Sequence, residues 1–200
     1  MSASNSDNEN NNSWWLSDTF LGALVLLLTV ATAFSAYQGS LADIEGDDLD
    51  FAGQKVMVLA SSSFLSGNTE LLEDLYNYDA YRELADVDPD EAAIYLNRAS
   101  AALRAGLERP IGPFDDLYEE ALYGEAFDLF AQVKSLEEQA NQADEKTSAY
   151  ELSGLIFAIG MAAAAWASLV GRGRRIRLIF LLIALFAFVA GTTVIIQNVL

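Results

Sequence analysis

With no cysteine and no histidine among its 200 residues, this chain offers no thiolate nucleophile, Cys or His metal ligand, disulfide or His-activated serine. Any chemistry must come from carboxylates, hydroxyls and amines, and four groupings of these have suggestive spacing. In "DVDPDE", Asp86, Asp88 and Asp90 stand at the spacing that opens an EF-hand calcium loop. The rest of that loop is missing, because Glu91 stands where the sharp turn needs Gly and Asn97 where a bidentate Glu should be. Helix capping by Asp88 accounts for the same residues. "DIEGDDLD" gathers Asp43, Glu45, Asp47, Asp48 and Asp50; a hard cation could bridge them, but a solvated acidic collar is the plainer reading. The pairs Asp115-Asp116 and Glu119-Glu120 lie one helical turn apart, yet acid/base work would also need an apolar pocket to raise one pKa, which the sequence does not show. Lys55 precedes Ser61, Ser62 and Ser63, the ingredients of a Ser-Lys nucleophile, although small serines on a helix more often permit close packing. No catalytic residue, metal or cofactor is therefore expected, and the chain reads as a non-enzyme.

The elements that carry these groups follow from the separation of charged from apolar residues. Hydrophobic side chains make up 52% of the chain, yet its formal charge is -18, an unusual mixture for one soluble domain. No charged residue occurs from Thr19 to Ala42, from Leu152 to Gly171 or from Leu178 to Leu200. Each stretch matches the ~20 helical residues that cross a hydrocarbon core of roughly 30 Å, and in lipid an isolated span must be helical to satisfy its backbone. The sequence thus predicts transmembrane helices over 14–38, 151–170 and 178–198, after a polar tail (1–13) expected to be disordered. Between the first two spans lies an acidic helical domain (39–150); from Asp43 to Glu151 there are 26 acidic and 7 basic residues.

Orientation rests on the short link 171–177, "GRGRRIR", with Arg172, Arg174, Arg175 and Arg177. Short Arg-rich loops stay cytoplasmic, whereas acidic residues count for little and long domains translocate regardless of charge. The expected arrangement is a multi-pass plasma-membrane protein with a cytoplasmic N-terminus and the acidic domain outside. Trp14 and Trp15 read as interfacial anchors at one surface, Tyr37 and Tyr150 at the other. Ala31-Thr32-Ala33 matches a signal-peptidase pattern, but the preceding region lacks the positive charge of a leader, so no cleavage is expected. Four arginines at a membrane surface are a poor basis for nucleic-acid binding, and they suit anionic lipid headgroups.

Within the acidic domain, Gly67-Asn68-Thr69 predicts a helix break, Asp88-Pro89 a helix start, Gly106 a helix end and "ERPIGP" (108–113) a rigid connector. Helical spacing marks Leu72, Leu75, Tyr78 or Asp79, and Arg82 with Leu84 nearby in one segment, Ala92, Tyr95, Leu96, Ala99, Ala102 and Leu103 in the next, then Leu117, Ala121, Leu122, Ala126, Phe130, Val133 and Leu136. No breaker separates Ala126 from Val170, so the second span is expected to extend outward as a stalk. The first span extends likewise through Leu49, Ala52, Val56, Leu59 and Ser63, with Gly39 and Gly46 as possible kinks. The fold class is therefore all-α: three spans and a helical bundle built partly on extensions of the first two. Gly154, Ala158, Ala162 and Ala165 form one helix-packing row in the second span; Gly160, Ala164, Ala167 and Gly171 form a neighbouring row, with Ala187 and Gly191 in the third span.

A first span ending in "FSAYQGS" (34–40), the acidic helical insert, "ADEKTSAYELSGLIFAIG" (143–160) and the hairpin with an Arg-rich turn resemble a group of uncharacterised prokaryotic three-span membrane proteins. The resemblance implies architecture alone, since that group has no established activity. Three Lys against eight Arg, beneath a large acidic excess, suit solubility at high salt and suggest a saline habitat. The leading functional expectation is an accessory or scaffold subunit that presents its acidic domain to a membrane or extracytoplasmic partner protein, or that self-associates. The alternative is a homo-oligomeric cation channel or cation-responsive sensor, with Thr29, Thr32, Thr192, Thr193 or Gln197 facing a pore. Spans without Asp, Glu, Lys or Arg disfavour a pump or secondary transporter.

Overall fold

The computed structural model describes residues 18–110, 112–170 and 174–199. Among the described residues the elements are five α-helices: α1 (Asp18–Leu84), α2 (Pro89–Arg98), α3 (Ala101–Leu107), α4 (Asp116–Leu169) and α5 (Arg174–Val199). No strand occurs among the described residues. Three of the helices, α1, α4 and α5, are long and apolar enough to cross a membrane. The chain divides into two compact units, residues 1–47 with 140–200, and residues 48–139.

α1 continues unbroken through Gly39, Gly46 and Gly67, where kinks and a break were expected. Asn68 and Thr69 cap nothing; the Thr69 hydroxyl instead donates to the Leu65 carbonyl one turn back, at 3.0 Å. The physical reason lies in packing. A helical Gly costs about 1 kcal/mol against Ala, which close approach of a neighbouring helix can offset. Gly39, Gly46, Gly53, Ala60 and Gly67 recur every seven residues, and all five are buried. A seven-residue step keeps one seam turned toward a partner helix, and here that helix is the antiparallel α4. In the first unit Gly39 lies beside Thr147 and Tyr150, and Gly46 beside Ala140, Ala143 and Asp144. In the second unit Gly53 faces Leu136 and Gly67 faces Leu122 and Tyr123. A Cβ on Gly67 would stand 2.8 Å from the Leu122 carbonyl oxygen, closer than any side chain allows.

The first unit's core joins all three apolar helices: Leu21, Leu24 and Leu28 from α1, Phe157, Ala164 and Ala167 from α4, Leu181 and Ala184 from α5. Gly160 admits Ala187, whose Cβ would lie 2.8 Å from a Cβ added there. Gly191 likewise makes room for the Phe157 ring.

In the second unit Ala99, Leu103, Tyr118, Leu122 and Tyr123 form the core, with Leu71, Tyr78 and Ala102 against it. Asp88 caps α2 as expected, accepting the Glu91 N–H at 3.1 Å, with Pro89 in the first turn. The helix expected to run on to Gly106 is instead two. α2 stops at Arg98, and Ser100 starts α3 by accepting the Leu103 N–H at 3.0 Å. The connector turns at Gly112, whose φ of +115° favours glycine. The core face of α1 also differs from expectation: Leu72 and Leu75 are exposed, whereas Asp74 and Asn77 are buried. Its central positions are polar, so a count of apolar residues passes over them. Leu59, Leu117 and Ala121 are exposed for the same kind of reason, since small residues and Tyr118 take the places facing the neighbouring helix.

Candidate functional site

The second unit buries one carboxylate among its described residues. Asp74, 1% exposed, projects from the helix position seven residues beyond Gly67 and so continues the seam. Its Oδ1 accepts the Ser100 N–H at 2.7 Å; its Oδ2 accepts the Ser100 hydroxyl at 2.5 Å and the Tyr118 hydroxyl at 2.9 Å. Ser100 therefore donates to α1 while capping α3, and Tyr118 brings in α4. Burial pushes the Tyr118 phenol far above the usual tyrosine range, helped by its hydrogen bond to Asp74 and by that carboxylate's charge. The phenol thus remains a neutral donor, which an ionised carboxylate in an apolar setting requires. Phe114 closes the cluster with edge-on contacts to Tyr78 and Tyr118, ring centroids 5.4 and 5.1 Å apart. The arrangement holds three helices together through strong, charge-assisted bonds, all of them to the chain's own groups.

A second polar anchor lies at the start of α4. Asp115 accepts the Tyr118 N–H at 3.0 Å, and its two oxygens meet Arg109 Nη2 and Nε at 2.7 and 2.6 Å. Asp115 is thus a cap in a two-point ion pair. It is drawn away from any shared role with Asp116, Glu119 or Glu120, which are exposed. Lys55 and the serine run also part company: the Lys55 ammonium covers the Phe51 ring at 4.0 Å, and Ser63 donates to Glu125 at 3.2 Å. Asp43, Glu45, Asp47, Asp48 and Asp50 are each exposed on α1, and among the described residues no group of three or more acids converges to hold a metal ion.

In the first unit Arg177 Nη2 donates to Asp18, which brings the beginnings of α5 and α1 side by side. Arg174, Arg175 and Arg177 fall in the first turn of α5. Arg172, the side chain of Arg174, Gly171, Trp14 and Trp15 lie outside the described residues. Tyr37 is exposed, and Tyr150 is half-buried beside Gly39. Of the small-residue rows, Gly160, Ala164 and Ala167 are buried, whereas Gly154, Ala158 and Ala165 are half-buried and Ala162 is exposed. A groove of about 410 Å³ between α1 and α4 has Thr32, Gly39 and Gly154 along it and Asp43 and Glu151 at its rim. Thr29, Thr32, Thr192 and Thr193 donate their hydroxyls to carbonyls of their own helices, at 2.8 Å each.

Sequence reading passed over Asp74, Ser100, Tyr118 and Arg109. Asp74 was detectable, since the step of seven through Gly39, Gly46, Gly53, Ala60 and Gly67 arrives at it. The partners come from distant segments, and no local pattern announces them. Comparison with protein-family models, with curated proteins and with solved structures finds no match.

Proposed function

We propose that this chain is a multi-pass plasma-membrane protein that acts without catalysis, as an accessory or scaffold subunit presenting its acidic helical domain to a partner protein. One observation carries the reading: Asp74, the buried carboxylate of the second unit, is spent on joining helices, while its other acids lie at or near the surface. A domain built in this way has rigid, charged faces to offer, and such faces steer and orient a partner of opposite charge. The three helices long and apolar enough to cross a membrane support the membrane part of this view. The arginines of 172–177 orient the chain with its N-terminus in the cytoplasm and the acidic domain outside.

The test is extraction from native membranes in polymer nanodiscs at native salt, followed by mass measurement of the intact particles. A second protein at fixed stoichiometry is expected. Particles containing this chain alone, with no neighbour crosslinked in the intact membrane, would remove the subunit role.

A further inference from the structure

The outward side of α1 in the second unit carries a regular series of exposed apolar residues. Phe51, Val58, Leu65 and Leu72 follow one another at intervals of seven and are 58%, 68%, 64% and 68% exposed. Each lies two residues from a member of the Gly53, Ala60, Gly67 and Asp74 series, hence about 200° around the helix and opposite α4. The same spacing reaches back to Ile44 and Tyr37, which are exposed as well. Charge singles out this stretch of α1 too. From Phe51 through Thr69 the chain has no acidic residue and only Lys55 as a charge, within a region of 26 acidic and 7 basic residues. Solvent-facing helix sides elsewhere in the unit bear Asp or Glu, as at Glu73, Asp79, Glu120 and Asp128.

We infer that this face is covered by α1 of a second copy of the same chain, forming a parallel two-helix seam outside the spans. An exact seven-residue apolar repeat suits a long helix lying alongside, and an isologous contact needs the same patch on both partners. Two copies inserted by the same spans run in the same direction, so each layer meets its own counterpart. The acid-free strip is also where two strongly negative units approach with least repulsion. Asp50 and Lys55, five residues apart on either side of Phe51 and both exposed, have the spacing at which flanking charges pair across a parallel seam. Ser61 and Ser62, small and exposed between Val58 and Leu65, permit close approach at its centre. The inference is independent of the subunit role proposed above, because pairing leaves the acidic faces of both copies open to a partner.

The chain has no cysteine, so single-cysteine variants report directly. Phe51→Cys, Val58→Cys, Leu65→Cys and Leu72→Cys, oxidised in native membranes, are each expected to yield a disulfide-linked dimer of this chain. Asp128→Cys and Glu138→Cys, on α4, are expected to remain monomeric. The double variant Val58→Glu/Leu65→Glu should convert dimeric particles in nanodiscs to single copies while leaving helix content by circular dichroism unchanged. Monomers at all four positions, equal crosslinking at the α4 controls, or disulfide capture of a different protein by the strip would each overturn the inference. Loss of the dimer together with loss of helix content would be resolved by Leu65→Ser, which still predicts weaker pairing in a folded chain.

Discussion

Tyr118 reaches Asp74 with a hydroxyl that must stay protonated to donate, and this makes the brace sensitive to alkali. Burial and the carboxylate hold the folded phenol's pKa above its unfolded value of about 10. Above that pH the unfolded chain releases the proton and the folded chain does not, so the stability this group contributes is intact below about pH 10 and falls as pH rises further. Urea unfolding of the intact protein should therefore show a midpoint that drops beyond pH 10, and Tyr118→Phe should flatten that slope while costing about 1–2 kcal/mol at neutral pH. Asp74→Ala removes the acceptor for three donors and should cost more, about 3 kcal/mol or above. If Asp74→Ala melted like the parent, the buried carboxylate would not be a brace.

The helices were legible to different depths. Asp88-Pro89 announced the start of α2 through local chemistry alone, and the charge-free stretches announced three long apolar helices, because both signals are written in consecutive residues. The seam on α1 was misread because glycine was taken for a breaker. Packing against α4 decides its role, and packing is not local. The two halves of that argument separate by substitution. Gly53→Ala places its Cβ 3.8 Å from that of Leu136, an ordinary separation, and should stabilise by up to about 1 kcal/mol through helix propensity. Gly67→Ala meets a backbone carbonyl, which cannot swing aside, and should destabilise by about 1–3 kcal/mol despite the same gain in propensity. Thermal melts of the pair check both signs together. The rows of α4 divide in the same way, since Gly160, Ala164 and Ala167 find neighbours within the unit and Ala162 does not.

The whole chain was readable as to what it is made of and where its charges lie, while the Asp74 cluster was not, because it forms only when α1, α3 and α4 meet. Two consequences concern the molecule entire. With the Arg link inside, Asp90→Cys in intact cells should react with a membrane-impermeant maleimide, and Gly171→Cys only after permeabilisation; the reverse pattern would invert the assigned orientation. With acidic residues outnumbering basic ones 29 to 11, self-repulsion should destabilise the protein at low ionic strength. Its melting temperature should climb as KCl or NaCl is added, and a melt indifferent to salt would speak against adaptation to brine.

A ladder whose rungs are all alike can be climbed one rung too far. Gly46, Gly53 and Ala60 are similar in size, so sliding α1 along α4 by seven residues still sets small side chains toward α4 over part of the seam. Within the seam the shift is opposed at Gly67, whose place against Leu122 and Tyr123 leaves no room for the Cβ of Ala60. Asp74 breaks the equivalence in the second unit, since only one alignment brings its carboxylate to both Ser100 and Tyr118. The cluster would then act as a reading frame for the helix pair as well as a source of stability. Asp74→Ala should accordingly refold in more than one kinetic phase, with a slow fraction escaping from the displaced alignment, and the parent is expected to refold in a single phase.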